Sequence, residues 1–263
     1  MKNIYFAQAQ GSRKEQQDFF GEYVSDDPLF LNHGGKLSIV ADGMGGLEKG
    51  ADASKIAVHS FINAYKTKKI NEKISDALKR SAISANKAVY KFSTDEGLSG
   101  KTGSTLVALV QCSNEVYWLS VGDSRIYQIS NNKLTQLSKD HNYENDLMKL
   151  VDRGELTIED VKNNSQKAAL TSYIGSESIA KIDQNIEPVI PLHKDVFMLA
   201  SDGLYARLTD EEMISIITTN HINEAAKKLV KRKLEKKLKN QDNVTVSLIF
   251  QIEPAQKSKT KKM

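Results

Sequence analysis

A chain of 263 residues with 40% hydrophobic and 27% charged side chains has the composition of a globular protein with a sizeable core, which excludes the disordered and collagen-like classes. The 37 basic and 33 acidic residues leave a formal charge of +4, concentrated in residues 227–239 and 257–262; without interleaved aromatics such runs read as solvated faces, so neither nucleic acid nor a membrane is an expected partner. The single Cys112 can form no internal disulfide and reads as a buried structural thiol, which makes the expected compartment the reducing cytoplasm.

The first residues turn polar at Gln8, too early for a signal peptide or a membrane span. Loose alternation predicts a strand over 4–9 and another over 19–24, after a Gly-Ser break. Residues 37–41 form a compact apolar strand that runs into Asp42-Gly43-Met44-Gly45-Gly46, a turn whose backbone can approach a ligand. Ala53, Ile56, Ala57, Phe61 and Tyr65 recur at helical spacing, as do Ile74, Ala77, Leu78, Ala85, Ala88, Val89 and Phe92, so two helices follow.

Strands are predicted next over 105–111, 116–121, 125–129 and 134–137, with Asn131-Asn132 marking a tight hairpin. Residues 141–168 are charged and weakly periodic, and are expected to hold short helices and a mobile flap. A strand over 196–200, helices over 210–217 and 222–238, and a strand over 244–251 complete the pattern. Because no Pro/Gly/Ser-rich linker intervenes, residues 1–253 are expected to form one domain, followed by a lysine-rich disordered tail, 254–263. Long helices between groups of meandering strands favour an α+β fold, with sheet packed on sheet and helices outside, over alternating parallel βαβ units.

Three aspartates share one setting: Asp42, Asp123 and Asp202 each follow an apolar strand, and two of them precede glycine. Taken singly, each is an ordinary turn residue. As a set with Asp18 and Asp242 they border strand-like segments from end to end, and their carboxylates would repel one another if they met without a multivalent cation. An all-oxygen set selects Mg²⁺ or Mn²⁺ over zinc, and neither Cys112 nor the five histidines form a zinc-spaced group.

At this point the chain resembles the metal-dependent protein phosphatases of type 2C, in their bacterial form. The motifs run in the family's order: Gly11-Ser12-Arg13 to Gln17-Asp18, Ala41-Asp42-Gly43-Met44-Gly45-Gly46, Thr102-Gly103-Ser104-Thr105, Val121-Gly122-Asp123-Ser124-Arg125, Ser138-Lys139-Asp140-His141, Leu170-Thr171-Ser172-Tyr173-Ile174-Gly175, Ala200-Ser201-Asp202-Gly203-Leu204 and Gln241-Asp242-Asn243-Val244-Thr245. Any one is weak; eight in order are strong.

The resemblance implies a four-layer α-β-β-α sandwich, two central antiparallel β-sheets flanked by helices, in agreement with the layer argument. It also implies hydrolysis of phosphate monoesters on phospho-Ser and phospho-Thr proteins, by a water activated by two core Mn²⁺ or Mg²⁺ ions and a third, weaker one. In that scheme Asp42 bridges two metals, Asp202 and Asp242 complete the first site, the Gly43 carbonyl contributes to the second, and Asp18 acts through waters. Asp123 with Asp202 holds the third ion, and Arg13 clamps the substrate phosphate through two parallel hydrogen bonds. Expected partners are phosphorylated proteins and a cognate bacterial Ser/Thr kinase, with the enzyme a monomer.

Four departures stand out. Gln17 takes the place of a common glutamate, Gln16 that of an asparagine, and Met44 that of a histidine proposed as general acid in animal members. Residues 162–166, Lys-Asn-Asn-Ser-Gln, replace a His-Pro step within the expected flap. His141, at the start of a loop, reads as a surface or hydrogen-bonding residue, with catalytic contact the lesser expectation. A phosphodiesterase or nuclease could use similar carboxylates but needs a track for a polymer, which the scattered lysines do not make; a phosphoprotein-binding scaffold would have no need of the full acidic set.

Overall fold

The computed structural model describes residues 3–44, 49–236 and 239–251. Gly45 and Gly46 of the glycine-rich turn, residues 237–238 at the end of the predicted last helix, and the lysine-rich tail lie outside the described residues.

The strands sort into two sheets in which every neighbouring pair is antiparallel. One contains β1 (Ile4–Ala9), β7 (Arg125–Ser130), β8 (Lys133–Gln136), β10 (Val196–Ala200) and β11 (Val244–Phe250), in the order β1-β11-β10-β7-β8. The other contains β2 (Asp18–Val24), β3 (Lys36–Met44), β5 (Leu106–Cys112), β6 (Glu115–Val121) and β9 (Asp183–Gln184), in the order β2-β3-β5-β6-β9, with the short β4 (Gly103–Ser104) on β3. Helices α2 (Gly50–Tyr65) and α3 (Ile74–Asp95) cover the second sheet; α6 (Asp202–Tyr205), α7 (Asp210–Thr219) and α8 (Ile222–Glu235) cover the first. Helices α4 (Tyr143–Asp152) and α5 (Ile158–Asn163) occupy the segment read as a flap.

The layering follows from strands buried on both faces. Along β10, Phe197 and Leu199 point between the sheets while Val196, Met198 and Ala200 face α7 and α8. Along β5, Val107 and Leu109 point between the sheets, and Leu106, Ala108 and Val110 face α2 and α3. A period of two with apolar residues on both phases produces three apolar layers, and each fully buried Leu or Phe in them contributes roughly 1.5–3 kcal/mol. Several polar groups buried between the sheets pair with one another: the Ser38 and Ser247 hydroxyls meet at 2.7 Å, and Asn3, Gln111 and Gln251 form an amide ladder.

Two helices were not legible in the periodicity, the single-turn α6 and the longer α1 (Pro28–Gly34). The signal for α1 is local: the Asp27 side chain accepts from Leu29 N at 2.9 Å, and Pro28 begins the helix where its missing N–H costs nothing.

Candidate metal centre

Topology brings the five aspartates to one end of the sandwich. Asp18 and Asp42 are direct cross-strand partners at the start of β2 and near the end of β3. Phe20 and Val40, two residues along each strand, pack between the sheets, so period two sends both carboxylates toward the same inter-sheet cleft. In the other sheet, the end of β10 lies beside the start of β11, with Ala200 opposite Val246; Asp202 follows the first and Asp242 precedes the second. Asp123 sits in the turn where the chain leaves β6 and enters β7, crossing from one sheet to the other.

Side chains beside the aspartates fix these ends. Thr105 Oγ1 accepts from Asp42 N at 3.0 Å and meets the Ser124 hydroxyl at 2.7 Å, which ties the Asp42 strand to the Asp123 turn. Ser201 donates to Asp18 Oδ2 at 2.8 Å and accepts from Thr245 N at 3.0 Å, linking the two sheets. Asn243 Nδ2 donates to the carbonyls of Gln10 and Glu15, and its Oδ1 accepts from Gln17 N, so the loop that carries Arg13 is laced to the turn that carries Asp242. Gly203 is required there: a Cβ on it would lie 1.8 Å from the Asn243 carbonyl oxygen. At Gly43 a Cβ would lie 2.2 Å from the Gly50 carbonyl oxygen.

The electrostatics record burial first and mutual repulsion second. Removal from water pushes the Asp42 carboxyl well up, and Asp18, Asp202, Asp123 and Asp242 add to the effect. Burial raises Asp18 to about 6 against the opposing Ser201 hydrogen bond, and raises Asp123 to about 7 with help from Asp202 and Asp140. Asp202 is raised by burial and by Asp242, and lies within hydrogen-bond reach of the Asp42 carboxyl. Arg13 pairs with Asp242 Oδ2 at 2.7 Å on the exposed rim of the cluster, and also feels Asp202 and Asp42.

Among the described residues no three His, Cys, Asp or Glu side chains form a ready-made metal cage. Asp242 is engaged by Arg13 and Asp18 Oδ2 by Ser201. The donor set nevertheless fits a hard divalent ion. Asp18 Oδ1 is buried without a hydrogen-bond partner among the described residues, every candidate ligand is an oxygen, and burial and neighbouring carboxylates disfavour the ionised forms that a cation would stabilise.

A family model described as protein phosphatase 2C matches residues 15–240. The chain belongs to the protein phosphatase 2C family. The serine/threonine phosphatase stp of Listeria welshimeri is 32% identical over 217 residues, 81% of this chain and 83% of that protein. Protein phosphatase PhpP of Streptococcus pneumoniae is 30% identical over 239 residues, 90% of this chain and 92% of that one. The solved serine/threonine phosphatase of S. agalactiae, 25% identical, superposes with a TM-score of 0.79 over 94% of this chain and 98% of that one. As a protein phosphatase 2C the chain is an enzyme of the metal-dependent protein-serine/threonine phosphatase class, and its two helix-flanked antiparallel sheets are the architecture the resemblance implies. No helix among the described residues is long and apolar enough to cross a membrane.

Several residues that shape this protein phosphatase 2C centre had no assigned part in the sequence reading. Ser201, Thr105 and Asn243 lie inside motifs, but their partners are set by topology. His141, read as a surface or hydrogen-bonding residue, is buried and hydrogen-bonded: its Nδ1 accepts from Gly122 N at 3.2 Å and its backbone N–H donates to the Gly122 carbonyl, so it braces the turn before Asp123. Arg125 grips Asp140 through two guanidinium nitrogens and stacks 3.8 Å over Tyr205, whose hydroxyl donates to the Asp123 carbonyl. Cys112 is buried, as expected of a structural thiol.

Proposed function

We propose that the chain hydrolyses phosphate monoesters on phospho-Ser and phospho-Thr proteins and opposes a Ser/Thr kinase in the cytoplasm. The observation that carries this reading is the convergence of Asp18, Asp42, Asp123, Asp202 and Asp242 from both sheets at one end, with a guanidinium on the rim. In this reading Asp42, Asp202, Asp242 and the Gly43 carbonyl hold two Mn²⁺ or Mg²⁺ ions, Asp18 supports them through water, and Asp123 with Asp202 takes a third, weaker one. When bound, such ions supply charge neutralisation and a water acidic enough to attack phosphorus near neutral pH.

The protein's own part is placement. Thr105, Ser201 and Asn243 hold the strand ends that carry the ligands. Arg13, joined to Asp242 by a solvent-exposed ion pair of small net worth, is free to exchange that carboxylate for phosphate oxygens. A planar guanidinium binds two of those oxygens at once and so orients the ester for in-line displacement. Residues 1–253 would act as one domain and as a monomer, with the flap at 141–168 selecting among substrates.

Arg13→Ala should lower kcat/KM by about 10²-fold, chiefly through KM, and Arg13→Lys should recover only part of it, because an ammonium is a point charge without the fork. Steady-state kinetics on a phosphopeptide checks this. The reading as a whole is tested by phosphate release from a panel of phospho-Ser, phospho-Thr and phospho-Tyr peptides with Mn²⁺, alongside single-stranded DNA and RNA. Turnover of the first two classes is expected; cleavage of nucleic acid with no phosphopeptide turnover would replace the proposal with a nuclease.

A further inference from the structure

In sequence, Lys231-Arg232-Lys233 reads as one solvated stretch of helix. The structure divides it: Lys231 and Arg232 are exposed on α8, whereas Lys233 is 1% exposed. Lys233 falls one helical turn beyond Leu229 and two beyond Ala226, on the stripe that packs against the first sheet. Its stem fills that stripe, and Nζ emerges under the turn before β11, where it donates to the Asp242 carbonyl oxygen at 2.6 Å.

That hydrogen bond is the only one the Lys233 side chain makes among the described residues, and no carboxylate among them lies within ion-pairing distance of its Nζ. Burying an ammonium costs several kcal/mol unless opposite charge compensates it, and a leucine would fill the stripe without that cost. The compensation available is the acidic cluster: Asp242, Asp18 and Asp202 all act on the Lys233 charge, while Arg207 opposes. Lys233, Arg207, Asp202 and Asp242 share the wall of one cavity of about 100 Å³. Arg13 sits on the exposed rim of the cluster, whereas the Lys233 stem is buried behind it.

We propose that Lys233 is a positioning residue that serves as a built-in counter-cation: it holds the Asp242 turn by its carbonyl and offsets part of the charge of Asp18, Asp202 and Asp242. This rests on the reading of those carboxylates as metal ligands. Lys233 therefore steadies the ion-free fold and competes electrostatically with the incoming divalent ion, setting its affinity below what the carboxylates alone would give.

Calorimetric Mn²⁺ titration of chelator-stripped wild type, Lys233→Gln and Lys233→Arg tests this. The glutamine keeps a donor for the Asp242 carbonyl and removes the charge; the arginine keeps the charge. Removing one positive charge beside the cluster should tighten Mn²⁺ binding roughly tenfold in Lys233→Gln and leave Lys233→Arg within about twofold of wild type. The rise in Tm on adding Mn²⁺ should likewise be larger in Lys233→Gln, and a variant that folds only with Mn²⁺ would support the proposal in the same way. Unchanged or weaker Mn²⁺ binding in Lys233→Gln, or a loss of fold that Mn²⁺ does not restore, would overturn it. A wild type that binds no Mn²⁺ at all would remove the metal-centre reading and the proposal together.

Discussion

Asp42→Asn should lower Mn²⁺-dependent phosphate release by at least roughly 10³-fold, about 4 kcal/mol of transition-state stabilisation, while leaving the chelated protein as stable as wild type or more so. The two effects share one origin. Asp42 is paired in register with Asp18 and surrounded by Asp202, Asp123 and Asp242, so its negative charge opposes the ion-free fold and is useful only when cations are bound. An amide keeps the shape, including the backbone bonds to Thr105, but lacks the charge with which Asp42 would hold the proposed ions. Activity assays and thermal melts on the same preparation check both halves; a variant that is active, or inactive because it is unfolded, fails the prediction.

Removing divalent ions should abolish turnover and expose a pH dependence of stability that the loaded enzyme lacks. Asp18 at about 6 and Asp123 at about 7 stand above the ordinary value of 3.8, so the folded protein holds more protons than the unfolded chain between those limits. The stability these groups contribute is complete below about pH 4 and is lost as pH rises through 6 and 7. The chelated protein should therefore melt at a lower temperature at pH 8 than at pH 5.5. Saturating Mn²⁺ should reverse this at the alkaline end: binding at 100 times Kd adds about 2.7 kcal/mol, a few degrees in Tm for a chain of this size. A melting temperature of the chelated protein that rises between pH 5.5 and 8 would contradict the assigned crowding of carboxylates.

Much of the fold was legible because strands such as β5 and β10 are apolar on both phases, which only a strand covered on two faces needs. Element ends were less so. Asp18 belongs to β2 because it pairs with Asp42, a fact fixed by the partner strand and not by its own neighbours. The aspartates themselves could be read as candidates from their place after apolar runs, but the bonds that bring them together span the chain: Ser201 reaches Asp18 across 183 positions and Arg13 reaches Asp242 across 229. No local pattern encodes such contacts: the first comes from packing one sheet on the other, the second from the pairing of β1 with β11. Lys233 shows the opposite failure. Composition called for solvent, whereas the helical phase set by Ala226 and Leu229 called for burial, and phase prevailed because α8 has only one face against the sheet.

The most direct test is anomalous diffraction from crystals grown with Mn²⁺. The account predicts manganese peaks in contact with the Asp42, Asp202 and Asp242 side chains, at the end of the sandwich where the two sheets meet. Manganese bound only elsewhere, or the three carboxylates ordered around no ion at saturating Mn²⁺, would contradict it.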